Sequence, residues 1–253
     1  MLVADIGNSD IVFGFFKNDS LTHTLRLPSS KQEDALFFDL KLRNFILENG
    51  IDSSILTSPT LSSVVPELTP IIADVMERVC HTATYMIKPN CHAAVSVNIE
   101  NVNELGADLY TNAVSAFSQS KSGCVVVDFG TALTFTTVSD EGKIEGVIIT
   151  PGLKTAVKSL FTATAQLPEV PLEKPKSVLG KNTIDAIQSG IMYGYEGMVK
   201  EILRRIKGEF DTPLKVYATG GLSSILTGIQ DEFDKIDIHL TLNGLYIIGT
   251  HHK

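Results

Sequence analysis

An α/β protein made of two copies of one supersecondary unit is the fold class the sequence predicts, on three observations. Asp5-Ile6-Gly7-Asn8-Ser9 and Asp128-Phe129-Gly130-Thr131-Ala132 share the pattern strand, Asp-x-Gly-polar, strand, about 120 residues apart. Each copy opens a run of three β-type segments. Each run then gives way to segments whose apolar residues recur at helical period. The chain therefore divides into one half over 1–115, carrying the first hairpin and the start of the helix at Gly106-Ala107-Asp108. The other half, over 116–253, carries the second hairpin and a Gly220-Gly221 turn.

Taken in order, LVADI, DIVFGFF and LTHTLRL read as a β-meander, because GNS and KNDS between them have turn composition. QEDALFFDLKLRNFILENG has apolar residues near helical spacing and stops at Asn49-Gly50. SSVVPELTPIIADVMERVC is a β-edge that breaks at Pro66 into a second helix, since proline removes a ladder donor. ATYMIKP and AVSVNI are expected to be strands, and NELGADLYTNAVSAFSQS a helix starting near Asn103. In the second half CVVVDFG, LTFTTVS and KIEGVIITPG repeat the three β-type runs. LKTAVKSLFTATAQ and the segment from Asn182 to about Lys207 are helical, on either side of the Pro-rich LPEVPLEKPKS. KVYATGGLSS is expected to be strand, Gly-Gly turn and helix.

Bulk properties narrow the function classes. The chain has 253 residues and a formal net charge of -8. Without a Lys/Arg cluster, that charge argues against nucleic-acid or anionic-membrane surfaces. Cys80, Cys91 and Cys124 are odd in number and lack CxxC spacing, which fits a reducing cytoplasm better than a disulfide framework. MLVADIGN has no basic leader, and no apolar run reaches the length of a membrane helix, so a cytoplasmic protein is expected.

The chemistry-bearing residues lie on the repeated turns. A glycine beside small polar residues leaves backbone N-H groups open to phosphate oxygens, so both turns can cradle a nucleotide. A carboxylate next to polyphosphate repels it unless a cation intervenes, so Asp5 and Asp128 are expected to hold Mg²⁺-ATP, another cation or waters. Ala218-Thr219-Gly220-Gly221 follows a strand, where glycine lets a nucleoside lie against the backbone. Asp108, early in a predicted helix, either complements the helix dipole or accepts a proton from a substrate hydroxyl. Walker A, HExxH and GxSxG patterns are absent, and the DFG at Asp128 lacks the catalytic loop of protein kinases. His23, His81, His92, His239, His251 and His252 are scattered and read as surface or core residues rather than ligands.

DIGNSDIVFGFF, SSVVPELTP, NELGAD, VVVDFGTALTF, ITPGL, TAQLP, GKNTIDAIQSGIMYG, ATGGL and LTLNGLYI together resemble the type III pantothenate kinase family, nearly end to end and in order. That family lies within the acetate and sugar kinase/Hsp70/actin superfamily. The resemblance implies duplicated actin-like (ribonuclease H-like) βββαβαβα domains with a nucleotide cleft between them. It implies ATP-dependent phosphorylation of pantothenate to 4'-phosphopantothenate, the first step of coenzyme A biosynthesis, by a homodimer using ATP with Mg²⁺ and K⁺ or NH₄⁺. Carried over, Asp5, Ile6, Gly7, Asn8, Ser9, Asp10, Ile11 and Val12 form the phosphate loop, with Thr131, Gly220 and Gly221 also on the nucleotide. Asp108 is the proton acceptor, Asp128 binds the monovalent cation, and Gly106, Ala107, Asp108, Leu109 and Thr183 face pantothenate, Thr183 from the neighbouring subunit.

The chain departs from the family at Leu109, where an arginine is usual, and at Ile99 and Val102, where a tyrosine and a proline are common. An arginine fork would contribute a charge-assisted bond of roughly 1.5 to 3 kcal/mol, so its loss predicts weakened kcat/KM for pantothenate. A kinase-like nucleotide-binding regulatory protein is the alternative these departures suggest.

Overall fold

The computed structural model describes residues 1–252. In chain order the elements are β1 (Leu2–Ile6), β2 (Asp10–Lys17), β3 (Ser20–Pro28), α1 (Ala35–Glu48), β4 (Thr60–Ser63), α2 (Thr69–Cys80), β5 (Tyr85–Met86), β6 (Ser96–Val97) and α3 (Ala107–Ser120). There follow β7 (Cys124–Phe129), β8 (Ala132–Val138), β9 (Lys143–Pro151), α4 (Leu153–Ala163), α5 (Thr183–Lys207), β10 (Lys215–Thr219), β11 (Lys235–Ile236) and α6 (Leu240–Thr250). The chain folds into two compact units, one of Met1–Gln119 with the segment from His239 onward, the other of Ser120–Ile238. The 115/116 boundary read from the sequence thus falls inside α3, and the last helix returns to the first unit. Among the described residues no helix is long and apolar enough to cross a membrane.

In the first unit the strand order is β3-β2-β1-β4-β5, with β1 antiparallel to β2 and parallel to β4. Strand alternation explains how a carboxylate fits in so apolar a strand. Leu2, Ala4 and Ile6 point into a core shared with Phe38 and Leu42 of α1 and Ile72, Val75 and Met76 of α2. Val3 and Asp5 therefore point to the other face. That face is the one α6 covers: a side chain at Gly14 would meet Leu242, and one at Gly249 would collide with Met1 and Thr60. Helix α1 starts at the Asp34 cap, whose carboxylate accepts from Phe37 N at 2.9 Å, and ends before Gly50, which takes a left-handed φ of 58°.

In the second unit the strands run β11-β10-β7-β8-β9. Val125, Val127 and Phe129 of β7, Leu133 and Phe135 of β8, and Val216 and Ala218 of β10 build a core with α4 and α5. Cys124, Val126 and Asp128 take the opposite face by the same alternation. Helix α5 is capped by Asn182, which accepts from Asp185 N at 2.9 Å and donates to the Asp185 carboxylate at 2.8 Å.

Four expectations are corrected. β4 is not an edge strand, since β5 pairs alongside it. ATYMIKP and AVSVNI shrink to the two-residue strands β5 and β6, because Pro89 and the turn at Asn90, with φ 65°, interrupt the ladder. Helix α3 starts at Ala107 rather than near Asn103, the preceding Val102–Glu104 forming a separate 3₁₀ turn capped by Asn101. After Gly220-Gly221 the chain makes turns and then a 3₁₀ helix at Thr227–Glu232 rather than an α-helix.

Candidate active site

The two repeated turns have related backbones. In the first, Gly7 N donates to Asp10 O at 2.9 Å, and in the second, Gly130 N donates to Ala132 O at 3.1 Å. The first turn spends three residues, Gly7-Asn8-Ser9, with Asn8 and Ser9 exposed, and the second only Gly130 and Thr131. Ile6 and Ile11 are fully buried, so these two can face a ligand only through their backbone. Val12 sits opposite Asp5 on β2, and Asp10 pairs with Arg26 at 2.8 Å on the surface.

Each turn is clamped by residues the sequence reading did not single out. Ser29, just after β3, donates its hydroxyl to Gly7 O at 2.5 Å and its N-H to Ser9 O at 3.0 Å. In the second unit the Thr131 carbonyl accepts from Gly152 N at 3.0 Å and from the Thr155 hydroxyl at 2.7 Å. Gly152 lies so close that a side chain there would collide with the carbonyls of Gly130 and Thr131. The ITPGL segment was the available signal for this clamp, and Ser29 had none.

Gly220 joins the glycine turn to the second hairpin. Its φ is 89°, and a Cβ on it would stand 2.6 Å from Asp128 Oδ1 and 2.7 Å from the Phe129 backbone. Only glycine satisfies both constraints. A Cβ at Gly221 would meet nothing within 4 Å, leaving open space beside the turn. Asp128, Thr131, Gly220 and Gly221 are thus gathered on one unit.

Asp108 lies in the first unit, second residue of α3. Its carboxylate folds back over Gly106, where any side chain would collide with Oδ1, and accepts from Leu109 N at 2.8 Å. Burial pushes its carboxyl above the ordinary carboxylate range, partly opposed by backbone hydrogen bonds that favour the charge. Helix α3 is held from below: Tyr110 is fully buried and donates to Val95 O at 2.9 Å, and Asn112 accepts from Thr241 of α6 at 2.7 Å. Leu109 is only 9% exposed, so it packs as well as replaces a charge. A cavity of about 540 Å³ opens beside Ser63, Val64, Pro66 and Met86, and Val64 borders Gly106.

Thr183 is exposed at the first residue of α5 and lines a cavity of about 580 Å³ with Leu160, Leu167, Lys181 and Ile187. Of the apolar residues of α5, Ile187, Ile191, Met192 and Val199 are buried in the unit's own core. Ile184 remains 48% exposed, and Phe161, Val178 and Leu179 are exposed as well.

A family model described as type III pantothenate kinase matches residues 1–205. A type III pantothenate kinase of Geotalea daltonii is 36% identical over 248 residues, 98% of this chain and 97% of that protein. One of Myxococcus xanthus is 36% identical over 253 residues, 100% of this chain and 99% of its own. Among solved structures, (R)-2-hydroxyglutaryl-CoA dehydratase component A of Acidaminococcus fermentans superposes with a TM-score of 0.57 at 12% identity. The match covers 100% of this chain and 99% of that one, a likeness of fold alone.

Proposed function

The chain belongs to the type III pantothenate kinase family, and from that premise we propose how its residues divide the work. The enzyme phosphorylates pantothenate with ATP, the first step of coenzyme A biosynthesis, on a duplicated actin-like α/β fold. In our reading the loop from Asp5 to Val12 takes ATP phosphates through the Gly7-Asn8-Ser9 turn. Thr131, Gly220 and Gly221 take the rest of the nucleotide. Gly106, Ala107 and Leu109 contact pantothenate, joined by Thr183 of the neighbouring subunit, and Asp108 accepts the proton of the hydroxyl that is phosphorylated.

The observation that carries this reading is the Asp108 carboxyl, fixed at a helix start across a glycine and raised by burial. A base works best when its pKa approaches the working pH, which a buried Asp achieves more nearly than an exposed one. Departure at Leu109 does not remove the base, which favours the enzyme over the regulatory alternative.

The cation assignments rest on chemistry. Asp5 would hold Mg²⁺, directly or through water, and Asp128 a K⁺ or NH₄⁺ ion. The Asp128 site fits such an ion: a carboxylate lies at a strand end beside buried Thr134 and Thr219. When bound, the cations neutralise phosphate charge. The residues themselves orient the phosphates and hold the proton. In a homodimer a second copy would pack against α5, at whose start Ile184 is exposed next to Thr183, and a monomer by sedimentation at micromolar concentration would remove that assignment. Free Cys80, Cys91 and Cys124 accord with a cytoplasmic setting.

Coupled ADP release with ATP, Mg²⁺ and K⁺ tests the reading: release should require pantothenate and fall when choline replaces K⁺. ATP binding without pantothenate-dependent ADP release would instead favour the regulatory protein.

A further inference from the structure

Among the described residues, the buried side-chain hydroxyls without a hydrogen-bond partner are those of Ser62, Thr134 and Ser223. A buried hydroxyl left unpaired costs about 1 to 3 kcal/mol, so native folds keep few without a reason. These three are not scattered. Ser62 pairs in register with Asp5, Thr134 pairs in register with Asp128, and Ser223 follows Gly220-Gly221. One unpaired hydroxyl therefore attends each of the three nucleotide elements.

Thr134 has the most defined surroundings of the three. It lies directly across the β7–β8 ladder from Asp128, and residues so paired project to the same face of the sheet. That face is opposite the core of Val127, Phe129, Leu133 and Phe135. The hydroxyl is out of contact with solvent and only 7% of the residue is exposed. On its other side, toward β10, Asp128 is flanked by Gly220, which stands against Oδ1 where no side chain could fit. The neighbours on that face are oxygen donors: the Asp128 carboxylate, Thr134 and, on β10 in register with Asp128, Thr219. A monovalent cation takes oxygen ligands, neutral and anionic together, and gives up its water readily enough to lie among such oxygens.

We infer that Thr134 is a positioning residue for the reaction, its Oγ1 serving as a neutral oxygen ligand of the monovalent cation held by Asp128. This rests on the reading of Asp128 given above. The cation supplies the missing partner of the hydroxyl, and the hydroxyl fixes the cation on the β8 side of the carboxylate. A valine has the same shape without the oxygen, and a serine keeps the oxygen without the methyl.

The test measures thermal stabilisation by KCl against choline chloride at equal ionic strength, without nucleotide, together with the K⁺ concentration giving half-maximal turnover. In the wild type K⁺ should raise Tm. Thr134→Val should weaken K⁺ in both assays by about 10-fold, the loss of one charge-assisted contact, with KM for pantothenate unchanged. Its Tm in choline should equal or exceed that of the wild type, because an unpaired hydroxyl has been replaced by a methyl. Thr134→Ser should respond to K⁺ within about threefold of the wild type. If Thr134→Val responds to K⁺ as the wild type does, the inference fails while the Asp128 assignment stands. If the valine variant misfolds, the serine variant decides: a K⁺ response within about threefold of the wild type supports the ligand, and one weakened by about 10-fold or more in both assays overturns it. A wild type indifferent to K⁺ in both assays overturns the Asp128 reading and this inference together.

Discussion

The two hairpins start from the same strand-Asp-x-Gly pattern and end in different local structures. The β1–β2 turn is three residues long, presents Asn8 and Ser9 to solvent, and is tied by Ser29. Between β7 and β8 the turn has two residues, is clamped by Gly152 and Thr155, and lies under Gly220. The exposed turn suits phosphate oxygens that come and go. Its tight counterpart suits a fixed ion and one part of a nucleotide. Duplication supplied the scaffold, and the difference comes from what each unit packs against its turn.

Gly220→Ala should separate the two turns most strongly. A non-glycine residue at φ 89° against the Asp128 carboxylate and Phe129 backbone combines left-handed strain with a collision. Together these cost at least about 2 kcal/mol. We expect a fall in Tm of several degrees and loss of nucleotide binding, whereas Gly221→Ala, with open space around it, should fold as the wild type. Equal melting curves for the two variants would refute the packing argument.

Asp128→Ala separates the two hairpins chemically. Removing the carboxylate should cost roughly 10- to 150-fold in kcat/KM and abolish the difference between K⁺ and Na⁺ buffers. A K⁺ dependence that survives this substitution would move the ion elsewhere.

Smaller effects are expected at Leu109 and in the first hairpin. Leu109→Arg puts a charge into a position 9% exposed, so Tm should fall and turnover slow. Faster turnover with an unchanged Tm would show that the family arginine is simply missing. Ser29→Ala removes one hydrogen bond of about 0.5 to 1.5 kcal/mol, so KM for ATP should rise a few-fold with KM for pantothenate unchanged. A change confined to pantothenate would place Ser29 on the substrate side.

Much of the scaffold was legible because it rests on local periodicity. The six β-type runs that open the halves, and helices α1, α2, α4 and α5, follow from alternation, helical spacing and caps such as Asn182. Asp5 and Asp128 were legible through their shared setting. What the sequence concealed depends on distant packing. Ser29 reaches Gly7 across the meander, and α6 returns over the first sheet through Gly244 and Gly249, at which any side chain would collide with Thr111 and with Met1. Neither contact leaves a periodic trace. The missing helix after Gly221 has the same origin: Gly220 is fixed by Asp128, and the chain then spends its residues on turns around Leu222 and Leu226.

Neither hairpin duplicates Asp108, and one variant tests its role directly. Burial raises the Asp108 pKa in the folded state, so the protonated form is favoured there. The sign follows: stability is fully present below the unfolded value near 3.8 and declines as pH rises through the higher folded value. At neutral pH the charged Asp108 therefore costs the fold something that an amide would not. Asp108→Asn, measured by steady-state ADP release and by melting at neutral pH, should lose at least about 100-fold in kcat while binding ATP as before and melting no lower than the wild type. A variant with near-normal kcat would contradict the account and leave Asp108 a helix-terminus residue.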